Sequence, residues 1–272
     1  MSSLDLLSAC VDGIGLLCPG LNGWPQARAV LLDKAPYLSE PTVLPVPQIL
    51  PPAERRRATA VIKLTLATGL EAVTAAGLQA AELATVFSSS GGDGRNCHEI
   101  CSALASADRL ISPTRFHNSV HNAASGYWGI ATGAMAPSAV LCAFDASFST
   151  GLLEALVQVT LLRQPVLLLA YDTCYPEPLH SARPIPDNFG VALALTPESG
   201  AHTLARLSLD PTAPFTSAPA DRLTNAALEA LRHSIPAARA LPLLQALCKG
   251  QSATVVLDHL PNQQLAVDLV PC

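Results

Sequence analysis

Residues 110–172, LISPTRFHNSVHNAASGYWGIATGAMAPSAVLCAFDASFSTGLLEALVQVTLLRQPVLLLAYD, decide how this chain is read. Residues 140–144 and 166–171 are short apolar runs without alternation, the pattern of strands covered on both faces. Between them, residues 149–162 place apolar side chains at helical spacing. Strand, helix and strand in that order imply a right-handed parallel crossover. Asp145 falls on the turn between the first strand and the helix, where the helix dipole favours negative charge.

Outward from this unit the chain alternates compact elements with proline-rich connectors. Residues 9–20, ACVDGIGLLCPG, read as an opening strand and glycine turn. Residues 41–52 are rich in proline, which removes amide donors and disfavours helix and central strand alike. Residues 53–76 read as one alanine-rich helix ending at Gly77. Residues 83–88 form a buried strand running into SSSGGDG, which lacks the Lys-Ser/Thr ending of a phosphate loop and reads as a plain turn. A second linker spans 210–219. Helical patterns follow at 222–234 and 237–247. A hairpin pairs 253–258 with 264–269 through Pro261-Asn262.

The 272 residues are 50% hydrophobic and 14% charged, with a formal net charge of −5. Such a balance argues against nucleic acid, whose phosphates call for concentrated Lys and Arg. Arg55, Arg56 and Arg57 are the one basic run, read as a solvated helix start or as a dock for an acidic carrier protein. Residues 116–144 carry no charge and are long enough to span a bilayer, but their His, Asn, Gly and Pro suit lipid poorly. No secretory pattern precedes them. A cytoplasmic protein without a membrane span is expected.

The eight cysteines show no disulfide-framework spacing. Cys97-His98-Glu99-Ile100-Cys101 lacks a second ligand pair. His117 and His121, four residues apart, lack a third ligand, so no metal is expected. Ser88, Ser89, Ser147 and Ser149 stand outside any Gly-x-Ser-x-Gly elbow.

The quoted run resembles the nucleophile region of the β-ketoacyl synthases. Asn118, Ser119, Asn122, Gly126, Gly133, Pro137, Ser138, Ala155 and Val166 fall at matching positions without a gap. In that register the catalytic cysteine becomes Asp145. The opening strand is similar too, as is RPIPDNFGVALALTPESGAHTLARLSL at 183–209, where the family runs strand, short helix, strand. The resemblance implies an α/β, thiolase-like fold, with a mostly parallel sheet covered by helices and truncated relative to a full ketosynthase. Residues 1–210 would form the ketosynthase-like N-terminal domain, and 211–272 an abbreviated C-terminal segment packing on the same domain.

The departures decide function. A carboxylate attacking a thioester gives a mixed anhydride that hydrolyses rather than waiting for a carbanion. The His-Gly-Thr-x-Thr and Asn-x-x-Gly-Phe-Gly-Gly motifs are absent, and His202, His233 and His259 lack such neighbours. The pattern resembles chain-length factors, and in its shortness the ketosynthase-like proteins of aryl-polyene and xanthomonadin-type pigment clusters. That resemblance implies a catalytically silent subunit of type II polyketide or fatty-acid-like synthesis, partnered by an active ketosynthase and an acyl carrier protein, with a homodimer as the alternative assembly and no cofactor. Phe116, Tyr127, Trp128, Phe144, Ser147 and Phe148 would line an acyl tunnel, the competing reading being that such side chains are core. His117, Asn118, His121, Asn122 and Gly126 would be structural or interface residues. Two rivals stay open: a decarboxylase or acyl-thioester hydrolase using Asp145 as general base, and a self-associating scaffold.

Overall fold

The computed structural model describes residues 6–272. Its strands are β1 (Leu7–Cys18), β2 (Leu21–Asn22), β3 (Ala84–Ser88), β4 (Ser138–Leu141), β5 (Val166–Asp172), β6 (Phe189–Thr196), β7 (Ala205–Leu209), β8 (Phe215–Thr216), β9 (Ala253–Leu260) and β10 (Gln263–Pro271). Its helices are α1 (Trp24–Leu31), α2 (Pro52–Arg57), α3 (Ala60–Ala76), α4 (Gly94–Ala105), α5 (Pro113–His117), α6 (Ala123–Thr132), α7 (Ser147–Leu162), α8 (Leu179–Ala182), α9 (Ala226–Ser234) and α10 (Leu241–Lys249).

All strands join one sheet in the order β4-β3-β5-β6-β1-β7-β10-β8, with β2 on β1 and β9 on β10. Among the described residues only β3 with β4 and β3 with β5 run parallel; the other pairings are antiparallel. The thiolase-like layering is as expected, but the sheet is mixed rather than mostly parallel. An apolar run records that both faces are covered and says nothing about strand direction. The crossover from β4 to β5 also passes over β3, which lies between them.

Alternation along β5 divides the core. Leu167, Leu169 and Tyr171 face a cluster with α3 residues Ile62 and Leu64 and with Trp128. Val166, Leu168 and Ala170 face a cluster containing Phe148, Leu152 and Leu156 of α7 and Leu241 and Leu244 of α10. The two-residue period of a strand sends successive side chains to opposite layers. Close approach makes the layers tight: a Cβ on Gly15 of β1 would sit 1.9 Å from the Thr68 carbonyl oxygen of α3. Residues 211–272 supply β8, β9 and β10 to the same sheet and Leu244, Val255 and Leu257 to the same core.

Several boundaries differ from the sequence reading. The helix expected at 53–76 is two, α2 and α3, because Ala58 and Thr59 adopt extended conformations and Thr59 starts α3. The pattern at 237–247 opens as a 3₁₀ turn, Pro236–Ala240, before α10. Turns and bends, not a short helix, join β6 to β7. The strand expected at 140–144 ends at Leu141, and Phe144 enters a 3₁₀ turn, Phe144–Ala146, with a left-handed φ of 51°.

Candidate functional site

That turn is the site. Strand β4 delivers the chain to it and α7 carries it away, the helix lying so close to β3 that a Cβ on Gly151 would meet the Ser88 Cβ at 2.8 Å. Ser147 holds the turn: its Oγ accepts from the Ala143 N–H at 3.1 Å, and its hydroxyl donates to the Phe144 carbonyl at 2.8 Å. A non-glycine residue at positive φ is costly and persists where neighbours over-determine it. Ser147 is thus a buried structural hydroxyl rather than a nucleophile presented to solvent.

Asp145 stands on this elbow with partners from two distant segments. Arg183, just after α8, donates from Nη2 to Asp145 Oδ1 at 2.6 Å. Arg239, in the 3₁₀ turn before α10, brings Nη2 to 3.2 Å from Oδ2. The Arg183 guanidinium also lies over the Phe144 ring, 3.6 Å from its centroid. A carboxylate with a guanidinium on each oxygen is a pinned anion, not a base aimed at a substrate proton.

Beside it opens a cavity of about 370 Å³, lined by Phe144, Asp145, Arg239, His259 and Gln264 among others. The His259 Nδ1 is 2.9 Å from the Ser149 Oγ, and its ring stacks on Phe215 at 5.0 Å. Burial pushes this imidazole below its ordinary value. At the neighbouring end of β5, fully buried Asp172 accepts from the Ser90 N–H at 2.9 Å, the Ser90 hydroxyl at 2.6 Å and the Ala237 N–H at 2.8 Å. Desolvation raises its carboxyl to about 6 against the pull of those donors.

The expected tunnel residues do not converge within this chain. Tyr127 and Trp128 are buried in the α3 layer, whereas Phe148 is buried in the α7 layer across the sheet. Phe116 and Phe144 are 68% and 61% exposed, so they reach beyond the chain. Phe116 and Tyr127 share a groove of about 420 Å³ with Pro113, His117, Val120 and Ile130. Of the expected interface residues, His117 meets the Tyr127 ring edge-on at 6.3 Å, and Asn122 and Gly126 line the same groove. Asn118 is buried and donates to the Arg57 carbonyl at 3.0 Å. His121 packs over Gly92.

Asp93 accepts from the Asn96 N–H at the start of α4, and Ser89 accepts from the Gly92 N–H, so the SSSGGDG turn bonds internally. All eight cysteines are free thiols, and no group of three metal-ligating side chains occurs among the described residues. In the basic run, Arg55 donates to the Gln48 and Leu50 carbonyls and Arg57 pairs with Glu54, which leaves Arg56 facing outward. No helix among the described residues is long and apolar enough to cross a membrane.

A mixed sheet between two helical layers, with a sharp strand-to-helix elbow at the ends of its parallel strands, defines a thiolase-like condensing-enzyme architecture. The model of the beta-ketoacyl synthase N-terminal domain matches residues 25–260, and the chain belongs to that family. Among solved structures, ketosynthase ApeO in complex with its chain length factor ApeC from Xenorhabdus doucetiae matches at 22% identity and a TM-score of 0.71, over 96% of this chain and 99% of that one. The ishigamide ketosynthase/chain length factor matches at 15% identity and a TM-score of 0.67, over 96% and 98%. AntDE:AntF, a type II acyl-carrier protein in complex with its ketosynthase bound to the hexaketide, matches at 11% and 0.72, over 97% and 99%. These likenesses establish the fold. No curated protein matches the chain.

Proposed function

We propose that this chain is a chain-length-factor-like subunit, silent in condensation, that pairs in the cytoplasm with an active ketosynthase in type II, aryl-polyene-like synthesis and with it receives an acyl carrier protein. The carrying observations are an open sheet edge and an exposed apolar groove. Among the described residues strand β4 pairs only with β3, and in the sequence before it Leu104, Leu110, Phe116, Val120, Ile130 and Met135 are all about half exposed or more, with Phe116, Val120 and Ile130 lining one groove. Unpaired edges and contiguous apolar surface are what a protein partner covers. Likeness to chains from ketosynthase/chain length factor complexes over nearly their full length supports the same reading.

In this reading Phe116 and Phe144, exposed in the isolated chain, are the side chains that meet the partner and bound its acyl tunnel. The hydrolase and decarboxylase alternative needs Asp145 free, whereas both its oxygens face arginines. The test is co-expression with the ketosynthase encoded nearest, followed by size exclusion and native mass spectrometry. A one-to-one complex is expected. A homodimer that ignores the ketosynthase overturns pairing in favour of a self-associating scaffold.

A further inference from the structure

The loss of a nucleophile does not by itself call for two arginines. Arg183 and Arg239 come from separate segments, retain 23% and 17% side-chain exposure, and converge on the two oxygens of one carboxylate. Arg183 also lies against Phe144, and the backbone of the 3₁₀ turn bearing Arg239 is tied to β5 through the Ala237 N–H and Asp172. The carboxylate itself is 42% exposed at the rim of the 370 Å³ cavity. Two guanidiniums that converge on one carboxylate at the rim of a cavity, Arg239 itself lining it, have the geometry of a carboxylate-recognition site.

We propose that Arg183 and Arg239 form a carboxylate-binding site whose occupant is the chain's own Asp145, and that the vacated site takes a small free carboxylate such as formate or acetate. This deepens the silent-subunit reading: the elbow is closed by an internal ligand, not simply emptied of its cysteine. No bond is made or broken; the site exchanges one anion for another. The two guanidiniums set the ligand class, a single carboxylate group, and the cavity beside Arg239 has ample room for its few carbon atoms.

The experiment uses the isolated full chain, so failure to pair with a ketosynthase leaves it standing and its own failure leaves pairing standing. Thermal unfolding is followed in chloride and in matched concentrations of sodium formate and sodium acetate. Asp145→Ala is expected to melt below the wild type in chloride and to recover saturably in either carboxylate, while the wild type shows no difference between the salts. Adding Arg239→Gln to Asp145→Ala is expected to weaken the response about ten- to a hundredfold, the range for a hydrogen bond to a charged group. ¹³C-formate line broadening on Asp145→Ser gives a second readout should Asp145→Ala not fold. A response equal in wild type and variants, one unchanged by Arg239→Gln, or no formate binding by either Asp145 variant overturns the proposal.

Discussion

Residues 104–144 and 147–172 are neighbours in the chain and both are rich in large apolar side chains, yet the fold treats them oppositely. The second stretch is mostly interior, apart from Leu161 and Leu162 at the end of α7: α7 buries Phe148, Leu152, Leu156 and Val159, and every residue of β5 is buried. The first leaves Leu110, Phe116, Val120, Met135 and Phe144 at the surface and buries chiefly Tyr127 and Trp128. Apolar content alone therefore does not locate a core. What separates the two is position in the sheet, since β5 has neighbours on both sides and β4 is an edge. In the proposed pairing, the surface that this chain does not cover is where its partner sits.

That contrast is open to direct attack. The largest effect is expected from Trp128→Ala: the ring is 2% exposed and packs on Gly69, so the loss should be about 3–5 kcal/mol of stability in denaturant titration. A loss under about 1 kcal/mol would free Trp128 from the core and return it to the tunnel. Asp172 comes next. Its carboxyl is raised from 3.8 to about 6, so between those values the folded chain holds a proton that the unfolded chain has released. Its contribution therefore grows as pH falls from 6 towards 4, by on the order of 3 kcal/mol, and is missing in Asp172→Asn. Equal pH slopes for the two proteins would refute this.

Smaller still, Val120→Asp and Phe116→Ser should leave the isolated chain's stability within about 0.5 kcal/mol while weakening ketosynthase capture by roughly tenfold or more. Unimpaired capture would mean that the exposed stretch serves some other contact. The smallest change is expected for Phe144→Ala, which removes the Arg183 contact at 3.6 Å and about 0.5–1 kcal/mol with it. A loss as large as that of Trp128→Ala would show the elbow to be core.

The elbow and its flanking strands were legible because their signal is local: a turn residue, a helix start and two apolar runs lie within some thirty positions. The hairpin at Pro261-Asn262 was legible for the same reason, Asn262 taking a left-handed φ of 63°. The break in the long helix carried one local sign, Thr59, a residue type that favours helix starts, embedded in sequence otherwise suited to helix. Arg239 gave none, since an arginine among alanines in PAARA reads as a solvated helix residue, and its partner lies 94 positions upstream. His259 carries no local sign beyond the lack of family neighbours; its pairing with Ser149 is a tertiary fact. The parallel relation of β4 and β5 followed from the helix between them, but the antiparallel remainder of the sheet was invisible because both of its faces are covered either way.

The central position of β1 has a consequence for how the protein is made. Apart from the two-residue β2, its sheet neighbours are β6 and β7, with Ile14 opposite Leu193 and Ala9 opposite Leu207. At about 5–20 residues per second, a ribosome needs roughly ten to forty seconds after releasing Ile14 before Leu193 exists to meet it. Throughout that interval one of the most apolar strands in the molecule has no sheet to enter. Yield in the cell should accordingly follow the supply of factors that shield nascent chains more closely than it follows the stability of the finished fold.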